Sequence, residues 1–397
     1  MTSIDVVGGV YGERCAFPDW NEIFGSVGRA AVGLSPHVDR VRLHTVLPNE
    51  QVNRVIPNFQ SFGVDVSVQP GKQLIGFDYL HCLANPIISP HPDFIDPQPT
   101  FEVQSDVVVA FGMMECQPSI TAEFCVYDPQ SSLAPKGFRE TGGSASRLAF
   151  VANQQEIERL TGSSGTDAAM QLVESERAEV VIAKRGLAGA FIYGSGGFVG
   201  SVPAFKTSNV FTVGSGDVFV AAFALAWATN NLTPMDAALF ASKAAAKYIE
   251  TSSLPMLSLE DAAAGRFEPV NVEKGTIYLA GPFRELGQRK IVNDARDFFR
   301  SLGLEVFSPV HDVGHGPAEK IVSQDLKALD ECDVVFAILN GSSPGTLFEI
   351  GYAIHAKRPV FCVAQNMREN DIKLPVGSGC FVHTDFVSAL HSLVWRT

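Results

Sequence analysis

The 397-residue sequence has little positive charge, because 30 lysines and arginines stand against 43 aspartates and glutamates and leave a net charge of −13. This imbalance works against binding to polymeric nucleic acid or to an anionic membrane surface. Long apolar runs are also missing: the longest, 107–114 and 218–228, fall well short of the ~20 residues that a helical membrane span needs. No basic segment precedes the first apolar stretch, so we expect neither a signal peptide nor a membrane span.

Cysteine is scarce as well, and its pattern excludes two common roles. The seven cysteines are an odd number and form no C-x-x-C pair. Disulfide frameworks and zinc sites are therefore disfavoured, and we expect reduced thiols that pack as small apolar side chains in a cytoplasmic protein.

The negative charge is unevenly distributed, which suggests two domains of separate origin. Residues 1–274 hold 18 basic and 29 acidic side chains, whereas residues 275–397 hold 12 and 14. The length also favours two or three domains. Between the halves, a stretch with two prolines lacks a clear core period, apart from a short helix expected near 259–264. We therefore predict domains over 1–255 and 275–397, joined by a linker over 256–274.

Short β-branched runs alternate with helical patterns, which predicts the α/β class. Nearly continuous apolar runs are typical of buried parallel strands, and four such strands are predicted over 107–111, 180–184, 276–280 and 334–339. A helix is predicted from Pro234 to about Tyr248, with Thr233 as its N-cap. The stretch 40–104 reads as short strands and turns that could form a lid or an insertion.

The sequence Thr-Val-Gly-Ser-Gly-Asp at 212–217, just before an apolar helix, is the most informative pattern of the first half. Glycines before a helix let backbone N–H groups converge on an anion, and the helix dipole adds favourable potential. An aspartate in the first turn could then accept a proton from an attacking hydroxyl while the amides hold a phosphoryl group. The alternative is a plain glycine turn with Asp217 as an ordinary helix-start carboxylate.

Two further motifs occur in the same half: Asn153-x-x-Glu156 before Leu160-Thr161-Gly162, and Lys184-Arg185-Gly186 after a buried strand. Together with the 212–217 sequence, they resemble the PfkB (ribokinase-like) family of sugar and nucleoside kinases over roughly residues 100–250. The resemblance implies a ribokinase-like three-layer domain that uses ATP and Mg²⁺.

Carried over by position, this resemblance assigns roles to individual residues. Asp217 would be the catalytic base, and Asn153 with Glu156 would organise magnesium through water. The remaining expectations are an anion hole of Gly214, Ser215 and Gly216, and cofactor binding by Asn153, Glu156, Lys184 and Gly186.

Two positions depart from the family pattern. Phe211 replaces an aspartate that several members link to a monovalent cation, and Arg29 lies near the place where an asparagine is usual. The alternative to an active kinase is therefore a degenerate ligand-sensing module that controls the second half.

The second half alternates strands and helices at 276–280, 288–302, 304–307, 318–331, 334–339, 347–356 and 359–363. This pattern predicts a small doubly wound parallel sheet, whose ligands bind outside the carboxyl ends of the strands. Three segments fall at those ends: Gly281-Pro282-Phe283, the loop 309–317, and 340–346.

Glu349 follows the last of these segments among apolar neighbours, so a partly desolvated carboxylate is expected. A carboxylate near an anomeric carbon can attack it and form a glycosyl-enzyme that water or another acceptor resolves. Asp325 could position or protonate groups nearby. The alternative is that Glu349 merely complements a helix N-terminus.

The sequences Tyr-Leu-Ala-Gly-Pro-Phe at 278–283, Gln-Asp-Leu at 324–326 and Gly-Thr-Leu-Phe-Glu-Ile-Gly-Tyr-Ala at 345–353 resemble the nucleoside 2-deoxyribosyltransferase family across nearly all of 275–397. The resemblance implies a flavodoxin-like fold, a Glu349 nucleophile with Asp325 as its acidic partner, no cofactor, and a homo-oligomer in which a neighbouring chain completes the site. The implied substrate pocket comprises Tyr278, Gly281, Pro282, Phe283, Ser342, Ser343, Gly345 and Thr346.

Ser343 lies six residues before Glu349, where transferases of free nucleosides commonly have an aspartate that contacts the 5′ side of the sugar. The related deoxynucleoside 5′-monophosphate N-glycosidases have serine there, which can donate a hydrogen bond to a phosphate that aspartate would repel. With Ser342 and the helix amides, Ser343 could form a phosphate cup. We therefore expect a preference for a nucleotide or a phosphorylated sugar.

Taken together, these patterns predict a bifunctional enzyme of nucleoside or nucleotide metabolism whose substrates are nucleosides, nucleotides and pentoses. Whether phosphorylation precedes or follows cleavage of the glycosidic bond is left open by the sequence, as is the choice between hydrolysis and transfer.

Overall fold

The computed structural model describes residues 2–131, 134–314, 317–365 and 367–396, and it divides into two compact units, 1–270 and 271–397. No helix within those described ranges is both long and apolar enough to cross a membrane.

The strands of the first unit form two sheets. In chain order they are β1 (Ser3–Val7), β2 (Gly12–Phe17), β3 (Trp20–Ile23), β4 (Arg40–Pro48), β5 (Val64–Gly71), β6 (Gly76–His81), β7 (Ile87–Ser89), β8 (Glu102–Phe111), β9 (Ser119–Asp128), β10 (Ser144–Asn153), β11 (Val180–Lys184), β12 (Ala190–Gly194) and β13 (Gly197–Val202). Nine of them make the main sheet, in the order β13-β12-β11-β10-β9-β8-β1-β4-β5. From β11 to β5 every neighbouring pair is parallel, so the carboxyl ends of these strands share one edge.

The helices of the first unit are α1 (Gly25–Leu34), α2 (Asn49–Ser61), α3 (Gln154–Thr161), α4 (Gly165–Ser175), α5 (Ser215–Ala224), α6 (Pro234–Thr251) and α7 (Leu259–Ala264). Thr233 caps α6 as predicted, since its side chain accepts a hydrogen bond from the Asp236 amide. A π-helical turn over Leu225–Thr229 continues α5, and both are almost entirely buried.

The second sheet of this unit is small, with the strand order β3-β2-β6-β7. The stretch 40–104 contributes only β6 and β7 to it, because β4 and β5 extend the main sheet and α2 connects them. The sequence did not predict α2, because Pro57 interrupts its hydrophobic period and only Val55 and Phe59 in it are buried.

The boundary between the units falls after residue 270, although the sequence places 256–274 between the domains. Met256 is buried and its carbonyl contacts the His37 ring nitrogen at 3.0 Å, while the Val270 amide donates to the Ala204 carbonyl at 2.8 Å. These contacts are distant in sequence, so no local pattern could reveal them. The expected short helix is present as α7, Leu259–Ala264.

The second unit contains one parallel sheet, β14 (Thr276–Ala280), β15 (Glu305–Phe307), β16 (Val334–Ile338), β17 (Val360–Val363) and β18 (Phe381–His383), in the order β15-β14-β16-β17-β18. Numbered within this unit, the order is 2-1-3-4-5, which is the flavodoxin-like arrangement. β16 is completely buried, as its uninterrupted apolar sequence predicts.

The helices of the second unit are α8 (Leu286–Ser301), α9 (Pro309–Asp312), α10 (Ala318–Glu331), α11 (Pro344–His355), α12 (Glu369–Gly377) and α13 (Phe386–Trp395). The loop predicted over 309–317 therefore begins as α9, and residues 315–316 within it lie outside the described residues. The elements after β17 were not predicted. Pro375 inside α12 obscures a helical pattern there, and α13 is buried on most of its surface instead of one face.

Candidate functional sites

The candidate site of the first unit is a cavity of about 580 Å³ at the carboxyl edge of the main sheet. Asp217, Gly214, Asn153, Glu156 and Lys184 all line it, so residues far apart in the sequence converge on one space. Phe77, Tyr79 and Ile88 of the small sheet line it from the other side. Ser215, Gly216 and Gly186 are not among its lining residues, and Gly186 lies exposed in a short helical turn, Gly186–Ala188.

Asp217 is 5% exposed at the start of α5 and both of its carboxylate oxygens are bonded. Oδ2 accepts a hydrogen bond from Arg29 Nη1 at 2.6 Å, and Oδ1 accepts one from Gln130 Nε2 at 2.5 Å. Asp217 is thus a buried carboxylate held by a cation and an amide.

Arg29 is only 1% exposed and joins two carboxylates. Besides the contact with Asp217, its Nη2 donates to Glu13 Oε2 at 2.7 Å and its Nε donates to the Tyr248 hydroxyl at 3.0 Å. Burial lowers the pKa of Arg29, but the Glu13, Tyr248 and Asp217 oxygens more than offset it, so the guanidinium stays charged. Burial raises the pKa of Glu13 above its usual range, although Arg29 opposes the rise.

The glycine turn before α5 packs directly on this arginine. Gly214 has φ +83°, and a Cβ there would lie 2.1 Å from Arg29 Nε, so only glycine fits both the backbone and the space. The amides of Ser215 and Asp217 donate within the turn, to the Thr212 and Gly214 carbonyls. Of the expected anion hole, the Ser215 amide is therefore already bonded within the protein.

A second ionic cluster lies at the ends of β9, β10 and β11. Lys184 Nζ is 2.5 Å from Asp128 Oδ2, and burial together with Asp128 raises the pKa of Glu156 to about 7. Glu156 and Asn153 also form a capping box at the start of α3, since each side chain accepts from the other's backbone amide. Asp128 and Gln130 have no counterpart in the sequence prediction, because an Asp-Pro-Gln turn carries no distinctive pattern by itself.

Phe211, the other departure from the family pattern, is 4% exposed and packs edge-on against Trp20, with ring centroids 5.3 Å apart. A cation site is not favoured where an aromatic ring fills the space.

The candidate site of the second unit is built around Glu349 in α11. Its Oε1 accepts a hydrogen bond from the Tyr278 hydroxyl at 2.8 Å, and Tyr278 belongs to β14, the neighbour of the central strand β16. Burial raises the pKa of Glu349 to about 7, and the nearby Asp325 carboxylate adds to the rise while Tyr278 opposes it. Burial also raises the pKa of Asp325, whose Oδ1 is buried with no hydrogen-bond partner among the described residues.

The other predicted residues of this site lie at the carboxyl edge of the same sheet. Gly281 follows β14, where a Cβ would lie 3.1 Å from Val292 Cγ2, so the close packing of α8 favours glycine. Pro282 is buried and Phe283 is 39% exposed. The four predicted residues around the start of α11 differ in exposure: Ser342 and Gly345 are exposed, Ser343 is half-buried and Thr346 is buried.

Ser343 is the N-cap of α11, yet its side chain makes no capping hydrogen bond. Pro344 at the first helical position lacks an N–H, so the amides behind it in the first turn define the positive end of the helix. Ser342 has φ +48°, which places the loop in a tight left-handed turn just before the helix. This hydroxyl-rich helix start can accept an anion.

Comparisons with known proteins identify both parts. The family model "pfkB family carbohydrate kinase" matches residues 118–258, and the model "Nucleoside 2-deoxyribosyltransferase" matches residues 277–385. The combination predicted from the sequence motifs is therefore confirmed: the chain has a PfkB kinase-like part followed by a nucleoside deoxyribosyltransferase-like part. The strand orders described above agree with the predicted fold class of a larger and a smaller α/β domain.

Among solved structures, the chain is similar to a ribokinase from Thermotoga maritima, with 18% identity, a TM-score of 0.49, and coverage of 66% of this chain and 99% of that one. A nucleoside kinase from Methanocaldococcus jannaschii shows 14% identity and a TM-score of 0.47, covering 66% and 97%. A fructokinase from Vibrio cholerae, bound to fructose, ADP and calcium, shows 14% identity and a TM-score of 0.47, covering 63% and 94%. No curated protein matches the chain.

Proposed function

We propose that residues 271–397 cleave or transfer the N-glycosidic bond of a (deoxy)nucleoside or its 5′-monophosphate. The observation that carries the proposal is the hydrogen bond from Tyr278 to Glu349 at 2.8 Å, with Asp325 close enough to raise the pKa of Glu349. The phenol orients one carboxylate oxygen and stabilises its charge, which suits a nucleophile.

In the proposed reaction, a Glu349 oxygen attacks the anomeric carbon and the bond to the base nitrogen breaks. The bonding electron pair leaves with the base, which takes a proton from Asp325 as the carboxylic acid. Water or an acceptor base then attacks the anomeric carbon and releases Glu349, returning the proton to Asp325. The raised pKa of Asp325 supports its role as the acid.

We further propose that the start of α11 binds a 5′-phosphate through Ser342, Ser343 and the helix amides. The Ser343 hydroxyl is not used to cap its own helix, and the positive helix end favours an anion. The test is the rate of base release from matched nucleosides and 5′-monophosphates. We expect the monophosphate to be preferred, and a clear preference for the unphosphorylated compound would contradict the proposal.

A Ser343→Asp variant sharpens this test, because a carboxylate would repel the phosphate while leaving the free nucleoside reactive. Ser301→Asp provides a matched control: it adds the same charge at the last residue of α8, at the opposite edge of the sheet. We expect Ser343→Asp alone to lose the preference for the monophosphate.

For residues 1–270, we propose binding of a sugar or nucleoside in the cavity and its phosphorylation with ATP. The convergence of Asp217, Glu156 and Lys184 on one cavity supports this proposal. Asp217 would take the proton of the attacking hydroxyl, and Lys184 lies close to Gly216, whose Cβ position is 3.4 Å from its Nζ. The cation would thus face the phosphoryl group.

Magnesium fits this cavity only as an ion held mostly by phosphate and water. The described residues contain no group of three or more His, Cys, Asp or Glu side chains that could hold a metal. Glu156, with its pKa raised to about 7 beside Asp128, would nonetheless be stabilised by a nearby cation. Mg²⁺ commonly keeps several waters, and it would neutralise phosphate charge there.

The second candidate function for residues 1–270 is ligand sensing without turnover, with control of the glycosidase. The ion pair between Arg29 and Asp217 favours it, because both Asp217 oxygens are already held, one by Arg29 and one by Gln130, and neither is free for a substrate hydroxyl. ATP consumption with a panel of pentoses and nucleosides separates the two. Turnover that Asp217→Asn abolishes supports the kinase, whereas ligand binding with no turnover in either protein supports the sensor.

A further inference from the structure

The cavity of the first unit has two chemically different ends, which the order of the strands defines. It is lined at the ends of β1, β8, β9, β10 and β11, which are consecutive neighbours in the sheet. Four steps of about 4.8 Å between strands make this row roughly 19 Å long. A free pentose, only a few ångströms across, fills one part of this row, and the phosphoryl group takes the part beside Lys184.

The end at β9, β10 and β11 is ionic, since Asp128, Glu156 and Lys184 lie there. Asp217 and Gln130 lie next to this end, linked by a hydrogen bond at 2.5 Å. Hydroxyl and phosphoryl groups suit this part of the cavity.

The end at β1 and β8 is aromatic and apolar. Tyr11 and Phe77 approach with ring centroids 5.4 Å apart. Other apolar lining residues of this end and of the small sheet include Pro86, Ile88, Phe111, Met113 and Met114.

The hydroxyl group of Tyr11 at this end is already hydrogen-bonded within the protein. The Tyr11 hydroxyl donates to Glu115 Oε2 at 2.7 Å and accepts from the Met114 amide at 3.0 Å. A sugar hydroxyl packed against the Tyr11 and Phe77 rings would lose its hydrogen bonds to water and find no free partner on the Tyr11 hydroxyl, which is unfavourable. A flat heteroaromatic ring would instead gain apolar and ring–ring contact.

The two ends are close enough for one ligand. Phe77 pairs with Glu13 across β6 and β2, Glu13 is bonded to Arg29, and Arg29 is bonded to Asp217. A ring beside Phe77 can therefore belong to the same molecule as a hydroxyl group near Asp217.

We propose that the ligand of the first unit is a nucleoside, with its base between Tyr11 and the small sheet and its sugar toward Asp217. This inference rests on the proposed binding of a sugar or nucleoside by residues 1–270 and selects one of the two classes. The ligand thereby shares its chemical class with the substrates proposed for the second unit.

The test is calorimetric titration of the full chain with adenosine, uridine and ribose. The chain carries Glu349→Gln so that the second unit does not consume the nucleoside. We expect a nucleoside to bind at least tenfold more tightly than ribose. The Phe77→Leu variant, which keeps apolar volume but removes the ring, is expected to weaken that binding roughly three- to tenfold, whereas Phe77→Tyr retains it.

Phe62→Leu is the matched control, since it removes an exposed ring of the first unit that does not line the cavity, whereas Phe283→Ala reports binding in the second unit, whose predicted pocket includes Phe283. Nucleoside binding that Phe283→Ala removes and Phe77→Leu leaves unchanged would overturn the inference, as would ribose binding as tightly as the nucleoside. ATP consumption separates this outcome from failure of the kinase proposal. If Phe77→Leu weakens nucleoside binding and no ATP is consumed, the inference stands and the kinase proposal is rejected. If ATP is consumed with ribose and Phe77→Leu does not change the rate, the kinase proposal stands and the inference is rejected.

Discussion

Asp217 in the first unit and Glu349 in the second occupy comparable positions but have opposite electrostatic surroundings. Each is a carboxylate near the start of a helix, at the carboxyl ends of parallel strands. Asp217 faces a buried guanidinium at 2.6 Å, whereas Glu349 faces a neutral phenol at 2.8 Å and has a second carboxylate nearby.

This difference shows why similar placement in a fold does not specify reactivity. A buried guanidinium beside a carboxylate compensates its charge strongly, and both Asp217 oxygens are taken up by hydrogen bonds from Arg29 and Gln130. A phenol stabilises the charge less, and burial beside Asp325 leaves Glu349 with a pKa of about 7. Glu349 is therefore suited to act as a nucleophile or to transfer a proton near neutral pH. Asp217 is suited to stabilise the buried Arg29.

The strongest test of the comparison is removal of the proposed nucleophile. Glu349→Gln keeps the size and the contact with Tyr278 but cannot attack the anomeric carbon, so base release is expected to fall on the order of 10³-fold or more. The measurement is chromatographic detection of the free base. Glu331→Gln, an exposed surface position in α10, is the control and is expected to retain activity. Full base release by the Glu349 variant would reject the nucleophile assignment.

Replacing Arg29 tests the role of the buried guanidinium beside Asp217. Arg29→Ala leaves Glu13 and Asp217 buried without their partner, and breaking such a pair costs about 3–5 kcal/mol of unfolding free energy. Denaturant unfolding of the full chain measures it. Arg40→Ala, which breaks the exposed pair with Asp65, is expected to cost about 1 kcal/mol or less. Equal losses of unfolding free energy in the two variants would show that the buried ion-pair cluster does not stabilise the first unit.

The phenol in the second site has a smaller expected effect. Tyr278→Phe removes a hydrogen bond to a charged group, worth about 1.5–3 kcal/mol, so base release should slow roughly ten- to a hundredfold. The pKa of Glu349 should rise further, and the acid limb of the pH–rate profile should move to higher pH. Tyr352→Phe, which loses a hydrogen bond to Asp330 instead, should move neither quantity. An unchanged limb in the Tyr278 variant would contradict the assigned role.

The pH dependence gives the smallest effect. Attack needs ionised Glu349 and departure of the base needs protonated Asp325, so base release should follow a bell-shaped pH–rate profile, and the ionised fraction of Glu349 alone falls about tenfold between pH 8 and pH 6 through a pKa of about 7. Because this pKa is raised above 4.5, the second unit should lose stability as the pH rises from 4.5 to about 7. Glu349→Gln should remove both slopes, as followed by initial rates and by thermal unfolding.

The order of helices and strands was largely predictable where local patterns are strong. The buried runs at 180–184 and 276–280 form the strands β11 and β14 with those bounds, and Thr233 caps α6 as its Thr-Pro-Met-Asp sequence indicates. Elements with a proline inside, such as α2 and α12, were missed because the hydrophobic period is broken there.

By itself, the sequence determined the class of the two halves, their motifs and the identity of the two candidate carboxylates, because these depend on short-range patterns of glycine, charge and apolar spacing. Only the tertiary structure decided what each carboxylate contacts. Arg29 is 188 residues from Asp217, and Tyr278 is 71 residues from Glu349. Such pairs are formed by the packing of distant elements, so the electrostatic difference between the sites has no local trace in the sequence.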